Sequence, residues 1–276
     1  MRAFMSGRVP TATLLFLALP AAQAAAQSPF IPVEPGPSAG IELVRPGYSA
    51  RFDDEIGGLT GQVHLSAALP VSAGVRFIAE VPLAHFDPGF DGYEGSTSRV
   101  GNPYLGVRFG DASRLGGRFG VRLPLATAGD GGDAAPLETG AFADYDRIEA
   151  FMPRVLTVGL AGQMGRTAVS GLMGRIVLGG DMMVNTDGGD PELFASYGAQ
   201  TGYERYGTAA IISFTGRAIV TEGELSLAER TIHQVTLSGA HRFGRVMPTL
   251  WLRMPVDGEL SELIDYALGF SMRVGI

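Results

Sequence analysis

The feature that most constrains this chain is a two-residue period at its end. Residues 266–276 place Tyr266, Leu268, Phe270, Met272, Val274 and Ile276 on one face, and Ala267, Gly269, Ser271, Arg273 and Gly275 on the other. Successive side chains of a β-strand point to opposite sides, so this is a strand with one large apolar face and one small or polar face. A soluble sandwich turns its apolar face inward. A membrane barrel inverts that arrangement, with large apolar residues against lipid and glycine, serine and arginine toward the lumen. At about 11 residues the segment also has the length of a tilted membrane-spanning strand.

The pattern recurs upstream. Strand-like pieces fall at residues 41–52, 59–69, 74–83, 100–110, 119–125, 154–164, 170–184, 192–204, 207–220, 231–243, 246–256 and 263–276. Short links follow the even-numbered pieces and longer ones the odd-numbered pieces, as in outer-membrane barrels with short periplasmic turns and longer outer loops. The long links are acidic, as in Asp53-Asp54-Glu55 and the group Asp87, Asp91 and Glu94, whereas Arg114, Arg118, Arg166, Arg205 and Arg245 lie in or beside short ones. The expected fold is all-β: a transmembrane antiparallel β-barrel of about 12 strands over residues 41–276, with both ends on one side. Residues 140–152 stay open, because Phe142, Tyr145, Ile148 and Phe151 suit either a short helix face or an irregular strand start.

Ahead of the barrel, residues 1–26 read as a cleaved secretory signal: Arg2 and Arg8, a short apolar run from Leu14, then small residues around Ala24. Residues 27–40, with Pro29, Pro32, Pro35 and Pro37, read as a periplasmic proline-rich arm. The expected location is the Gram-negative outer membrane, with bilayer lipid, lipopolysaccharide and the barrel-assembly machinery as partners. The chain has no cysteine, which removes disulfides and thiolate chemistry. Its net charge of −7 argues against nucleic acid, which requires a basic surface.

The alternation assigns Arg76, Arg108, Arg122, Arg175, Arg217, Arg253 and Arg273 to the small-residue face, with Glu80 and Asp181 as nearby acids. If that face is the lumen, two readings follow. The arginines select solutes by charge, or they pair with acids across a narrow barrel and fill it. Pro82, Pro124 and Pro255 each follow a charged residue by two positions; they either kink the wall or mark where regular pairing ends. Trp251 is expected to fill lumen space. The Asp-Gly-Gly-Asp runs at 130–133 and 187–190 read as glycine turns. His64, His85, His233 and His241 show no metal-ligand spacing, so no metal, cofactor or catalytic residue is expected.

The run Val100-Gly-Asn-Pro-Tyr-Leu-Gly-Val-Arg-Phe109, with Val81-Pro-Leu83, Leu123-Pro-Leu125 and Met254-Pro-Val256, resembles segments of the phenol-degradation meta-pathway family of outer-membrane proteins. That family is akin to the fatty-acid and aromatic-hydrocarbon channels. The resemblance implies an outer-membrane channel or transporter for small solutes, hydrophobic ones among them. A non-conducting structural or adhesion barrel, with its lumen plugged by paired Arg and Asp/Glu, and an outer-membrane hydrolase, with Ser, His and an acid converging on one rim, are the alternative expectations. A soluble periplasmic β protein is the alternative fold.

Overall fold

The structure, a computed structural model, describes residues 37–48, 60–87, 96–110, 114–127, 134–222, 226, 230–257 and 261–276. The expected signal, most of the proline-rich arm, the acidic link at 53–55 and the 130–133 run lie outside the described residues.

Alternation has become a closed wall. The strands are β1 (Ser38–Tyr48), β2 (Gly61–Ser72), β3 (Val75–Phe86), β4 (Thr97–Val100), β5 (Tyr104–Gly110), β6 (Leu115–Arg122), β7 (Val155–Thr167), β8 (Leu172–Asn185), β9 (Glu192–Arg205), β10 (Thr208–Ile219), β11 (Thr231–His241), β12 (Val246–Pro255) and β13 (Ile264–Gly275). Each pairs antiparallel with its neighbours, and β1 closes the ring by pairing with both β13 and β2. Strands β4 and β5 both pair with β3, so they are two halves of one interrupted stave and the barrel has twelve. The first strand begins at Ser38, inside the stretch expected to be arm.

Burial settles which face is which. Leu65, Leu105, Leu160, Leu250 and Phe270 are exposed, while Glu80, Arg122, Thr236, Thr249 and Arg253 on the opposite face are 2% exposed or less. A soluble protein with this pattern would leave its apolar side in water; here that side is the lipid-facing belt. The short turns, such as Ala73–Gly74 and Tyr206–Gly207, lie at the same end as the start of β1 and the end of β13. This is the periplasmic end.

Glycines let aromatic rings lie flat on the wall. Trp251 on β12 sits directly opposite Gly269 on β13 and covers it, so that a Cβ there would fall 1.9 Å from the indole. Tyr104 likewise lies across Gly106 and Gly120. Gly269→Ala is therefore expected to lower barrel stability by about 1–3 kcal/mol through overpacking, read as an earlier urea midpoint in detergent; an unchanged midpoint would show that the indole swings aside freely.

Twelve strands spaced ~4.8 Å apart and tilted by about 40° enclose a backbone radius of about 12 Å. One layer of side chains cannot fill that width. The filling comes from the long link after β6, which folds into the barrel as helix α1 (Ala135–Ala143) followed by a 3-10 turn, Tyr145–Ala150. Pro136 sits in the first turn of α1, where its missing N–H costs nothing. The helix buries a broad face, Leu137, Thr139, Gly140, Ala141 and Ala143 among it, while Glu138 stays exposed and Ala135 and Phe142 half-buried on the other side. The segment that periodicity left open is thus helical, and it plugs the lumen.

Candidate functional site: a charged plug in the lumen

The plug docks through an apolar layer and a charged one. Leu137, Ala141, Ala150 and Phe151 pack on Ala84 and Ala126, and Ala143 joins Val44, Trp251 and Ala267. Phe151 lies against Gly140 of α1 and Gly101 of the wall, and meets His64 edge-on at 5.7 Å.

The charged layer is built from the run 144–149. Arg147, fully buried, reaches Asp144 (Nε–Oδ2 2.6 Å), Glu42 on β1 (3.1 Å) and Glu80 on β3 (3.3 Å). Glu149 is held between Arg122 on β6 (3.3 Å) and Arg217 on β10 (2.8 Å). Arg122 also binds Glu80 at 2.9 Å, and Arg217 binds Asp181 at 3.3 Å. Arg253 on β12 pairs with Asp144 and stands 3.6 Å from Asp146, whose carboxylate also accepts from Thr215 and Gln234. Charges with side chains this deeply buried persist only when paired and hydrogen-bonded. Pairing here runs from plug to wall on several sides, so the network fixes the plug's position.

Asn102 supplies a neutral clamp. Its amide donates to the carbonyls of Glu149 (2.9 Å) and Met152 (2.7 Å), its side-chain oxygen accepts from the Ala126 N–H (2.8 Å), and its own N–H donates to Ala150 (2.6 Å). Gly101 beside it has no room for a Cβ, which would lie 2.2 Å from the Ala150 carbonyl oxygen. The expected continuous strand at 100–110 is therefore broken at residues 101–103, because Asn102 spends its hydrogen bonds on the plug and Pro103 has no N–H to give the ladder.

The candidate lumen residues divide into two groups. Glu80, Arg122, Arg217 and Arg253 belong to the plug network. Arg76, Arg108, Arg175 and Arg273 lie nearer the periplasmic end, joined by Arg118. Pro82 is in β3, paired with His64 in the regular part of the β2–β3 register, and its carbonyl accepts from Gly101 across the break (2.9 Å). Pro124 lies just beyond β6, and Pro255 is the last residue of β12. Sequence reading did not select Glu42, Asn102, Asp144, Arg147 or Glu149; the density of charge in Asp-Tyr-Asp-Arg-Ile-Glu at 144–149 was the available signal.

The histidines are dispersed. His64 binds Gln62 (2.9 Å) and faces Glu80 (3.4 Å), while His233 lies between Tyr197 (2.6 Å) and Asp257 (3.0 Å) on the outer surface of the wall. Among the described residues no group of three or more ligand-type side chains could hold a metal ion.

No protein-family model and no curated protein sequence matches the chain. Solved structures do match in shape. An outer membrane channel from Pseudomonas putida F1 superposes with a TM-score of 0.62 at 11% identity, covering 91% of this chain and 99% of that one. LpxR from Salmonella typhimurium gives a TM-score of 0.51 at 11% identity, over 87% of this chain and all of that one. At such identities the likeness is one of fold, and with the lipid-facing belt it makes this chain a β-barrel of the outer-membrane kind.

Proposed function

We propose that this protein is an outer-membrane channel or transporter for small solutes, held closed in the conformation described by the segment that folds inward between β6 and β7. The observation that carries the reading is the construction of the plug. It is an insert in an outer link, seated against a lumen wall that offers it Glu42, Glu80, Arg122, Arg217 and Arg253 beside an apolar patch, and its latch is a set of side-chain ion pairs rather than a continuation of the sheet. Ion pairs of that kind can be exchanged for pairs with water or with a charged solute while the wall stays paired, so the plug can move without unfolding the barrel. A latch of exchangeable ion pairs suits a polar or charged solute better than the hydrophobic one the family resemblance implies.

A second reading has an observation in its favour. Each described acid of the network has an arginine partner, as expected of a barrel whose lumen is permanently filled. Planar-bilayer recording of the mature protein, refolded from detergent, separates the two. The channel reading expects brief, discrete openings and uptake of small polar solutes into liposomes. A folded, heat-modifiable barrel that stays silent even after its plug is excised would establish the non-conducting reading.

A further inference from the structure

We infer that the lumen carries, just below the latch, a binding site for a small neutral polyhydroxylated solute, a sugar or polyol, made from Ser213 on β10, Thr236 on β11, Thr249 and Trp251 on β12, Ser271 on β13 and Glu42 on β1. The sheet register gathers these residues. Ser213 is directly opposite Thr236, Thr249 is opposite Ser271, and Ser271 is opposite Glu42, all on the inward face. Thr215, Gln234 and Arg253 of the latch stand one inward position above Ser213, Thr236 and Trp251, while Ile211 and Met247 stand one below Ser213 and Thr249. The six residues therefore form one band beneath the plug.

Each of them is 6% exposed or less, yet the hydroxyls of Ser213, Thr236, Thr249 and Ser271, the indole Nε1 of Trp251 and Oε1 of Glu42 have no hydrogen-bond partner among the described residues. Buried polar groups are nearly always paired, so these six on five adjacent staves are hydrogen-bonding capacity that the chain itself does not use. Space supplies a second observation. A cavity of about 10 Å³, room for one water molecule or one hydroxyl, opens beside Glu42, His64 and Ser271. The chemistry selects the class of ligand. Hydroxyls both donate and accept, the indole only donates and the carboxylate only accepts, so the band offers both kinds of bond. Its charges are already balanced: Glu42 is paired with Arg147, and Arg253, which lies over the indole at 4.7 Å, is paired with Asp144. A neutral ligand rich in hydroxyls uses this pattern, whereas an ion would have to displace those pairs. Ala143 of the plug packs against Trp251, so a solute reaches the band as the plug lifts.

As a binding site this stands on its own observations; as the substrate class of a channel it rests on the reading above. The test uses binding, so a silent barrel in bilayers leaves the site standing, and failure to bind leaves the channel standing. Trp251 is the only tryptophan in the chain, and its fluorescence reports the band directly. D-Glucose is titrated into the mature barrel in detergent, as wild type and as Phe151→Ala, which loosens the plug where it packs on Ala84 and Ala126. Glycine betaine, small and neutral overall but without a hydroxyl, is the control at equal osmolality. The expected result is a saturable change in emission with glucose and not with betaine, at lower concentration in Phe151→Ala than in the wild type. Adding Thr249→Val or Ser271→Ala to Phe151→Ala should weaken binding roughly fivefold and leave the urea midpoint unchanged or higher, because each removes a buried unpaired group. No saturable change in Phe151→Ala, or an equal response to betaine, would overturn the site. A lower midpoint in both hydroxyl variants would overturn it too, by assigning those hydroxyls to the fold.

Discussion

Replacing residues 135–150 with a short glycine-serine link is expected to turn a nearly silent barrel into a wide, persistently open one, with single-channel conductance raised roughly tenfold or more. The expectation follows from geometry. The twelve-stave wall is closed by its own hydrogen bonds, and none of its pairings runs through α1 or the 3-10 turn. Removing them leaves the ring intact and empties a radius that side chains alone cannot fill. The excision also exposes Arg122, Arg217 and Arg253 to lumen water without Glu149 and Asp144, so the opened pore should prefer anions. Single-channel recording with a salt gradient measures both quantities. A folded variant that conducts no better than the wild type would mean that the lumen is blocked by something other than this segment, and the plug would lose its role as gate.

The wall was legible in the sequence because it obeys one rule. Every stave alternates, and the lipid belt needs so many large apolar residues that the inside-out pattern stands out, as in residues 266–276. The links were legible for a related reason: short and long connections alternate when all turns of one end must be tight. The plug was not legible, because it follows no period. Its short helix is built mostly of small and apolar residues with Glu138 as its one charge, so it carries no polar stripe, and the charged residues after it find partners in β1, β3, β6, β10 and β12, at sequence separations that pattern reading cannot bridge. The lumen arginines were found as a class, since alternation gives each one its face. Which of them would meet the plug depended on where an unpatterned segment came to rest. Gly101-Asn102-Pro103 shows the same limit from the other side. The motif that suggests a family resemblance is visible in sequence, but its role as the plug's clamp is visible only in space.

Arg147→Met tests whether the latch, and not only the bulk of the plug, holds the lumen shut. Arg147 touches three carboxylates, and the loss falls unevenly on them. Glu80 keeps Arg122 and Asp144 keeps Arg253, but Glu42 is left buried without the partner described for it. Stranding a buried charge costs about 3–5 kcal/mol, and the least costly relief is to release the plug to water while the wall stays paired. The population with the plug undocked should then rise by roughly 10²- to 4 × 10³-fold. Chymotrypsin reports it, since Phe142, Tyr145 and Phe151 lie in the plug and Phe151 is only 1% exposed when docked. When opening and closing are fast, cleavage there follows the open population. Adding Glu42→Gln removes the stranded charge and should restore much of the protection. Arg154→Met breaks an ion pair with Asp187 in which both side chains are more than half exposed, so it should leave cleavage unchanged. If Arg147→Met leaves the plug as resistant as in the wild type, the apolar contacts of Leu137 and Phe151 hold it without the charges, and a gate worked by exchange of ion pairs is ruled out.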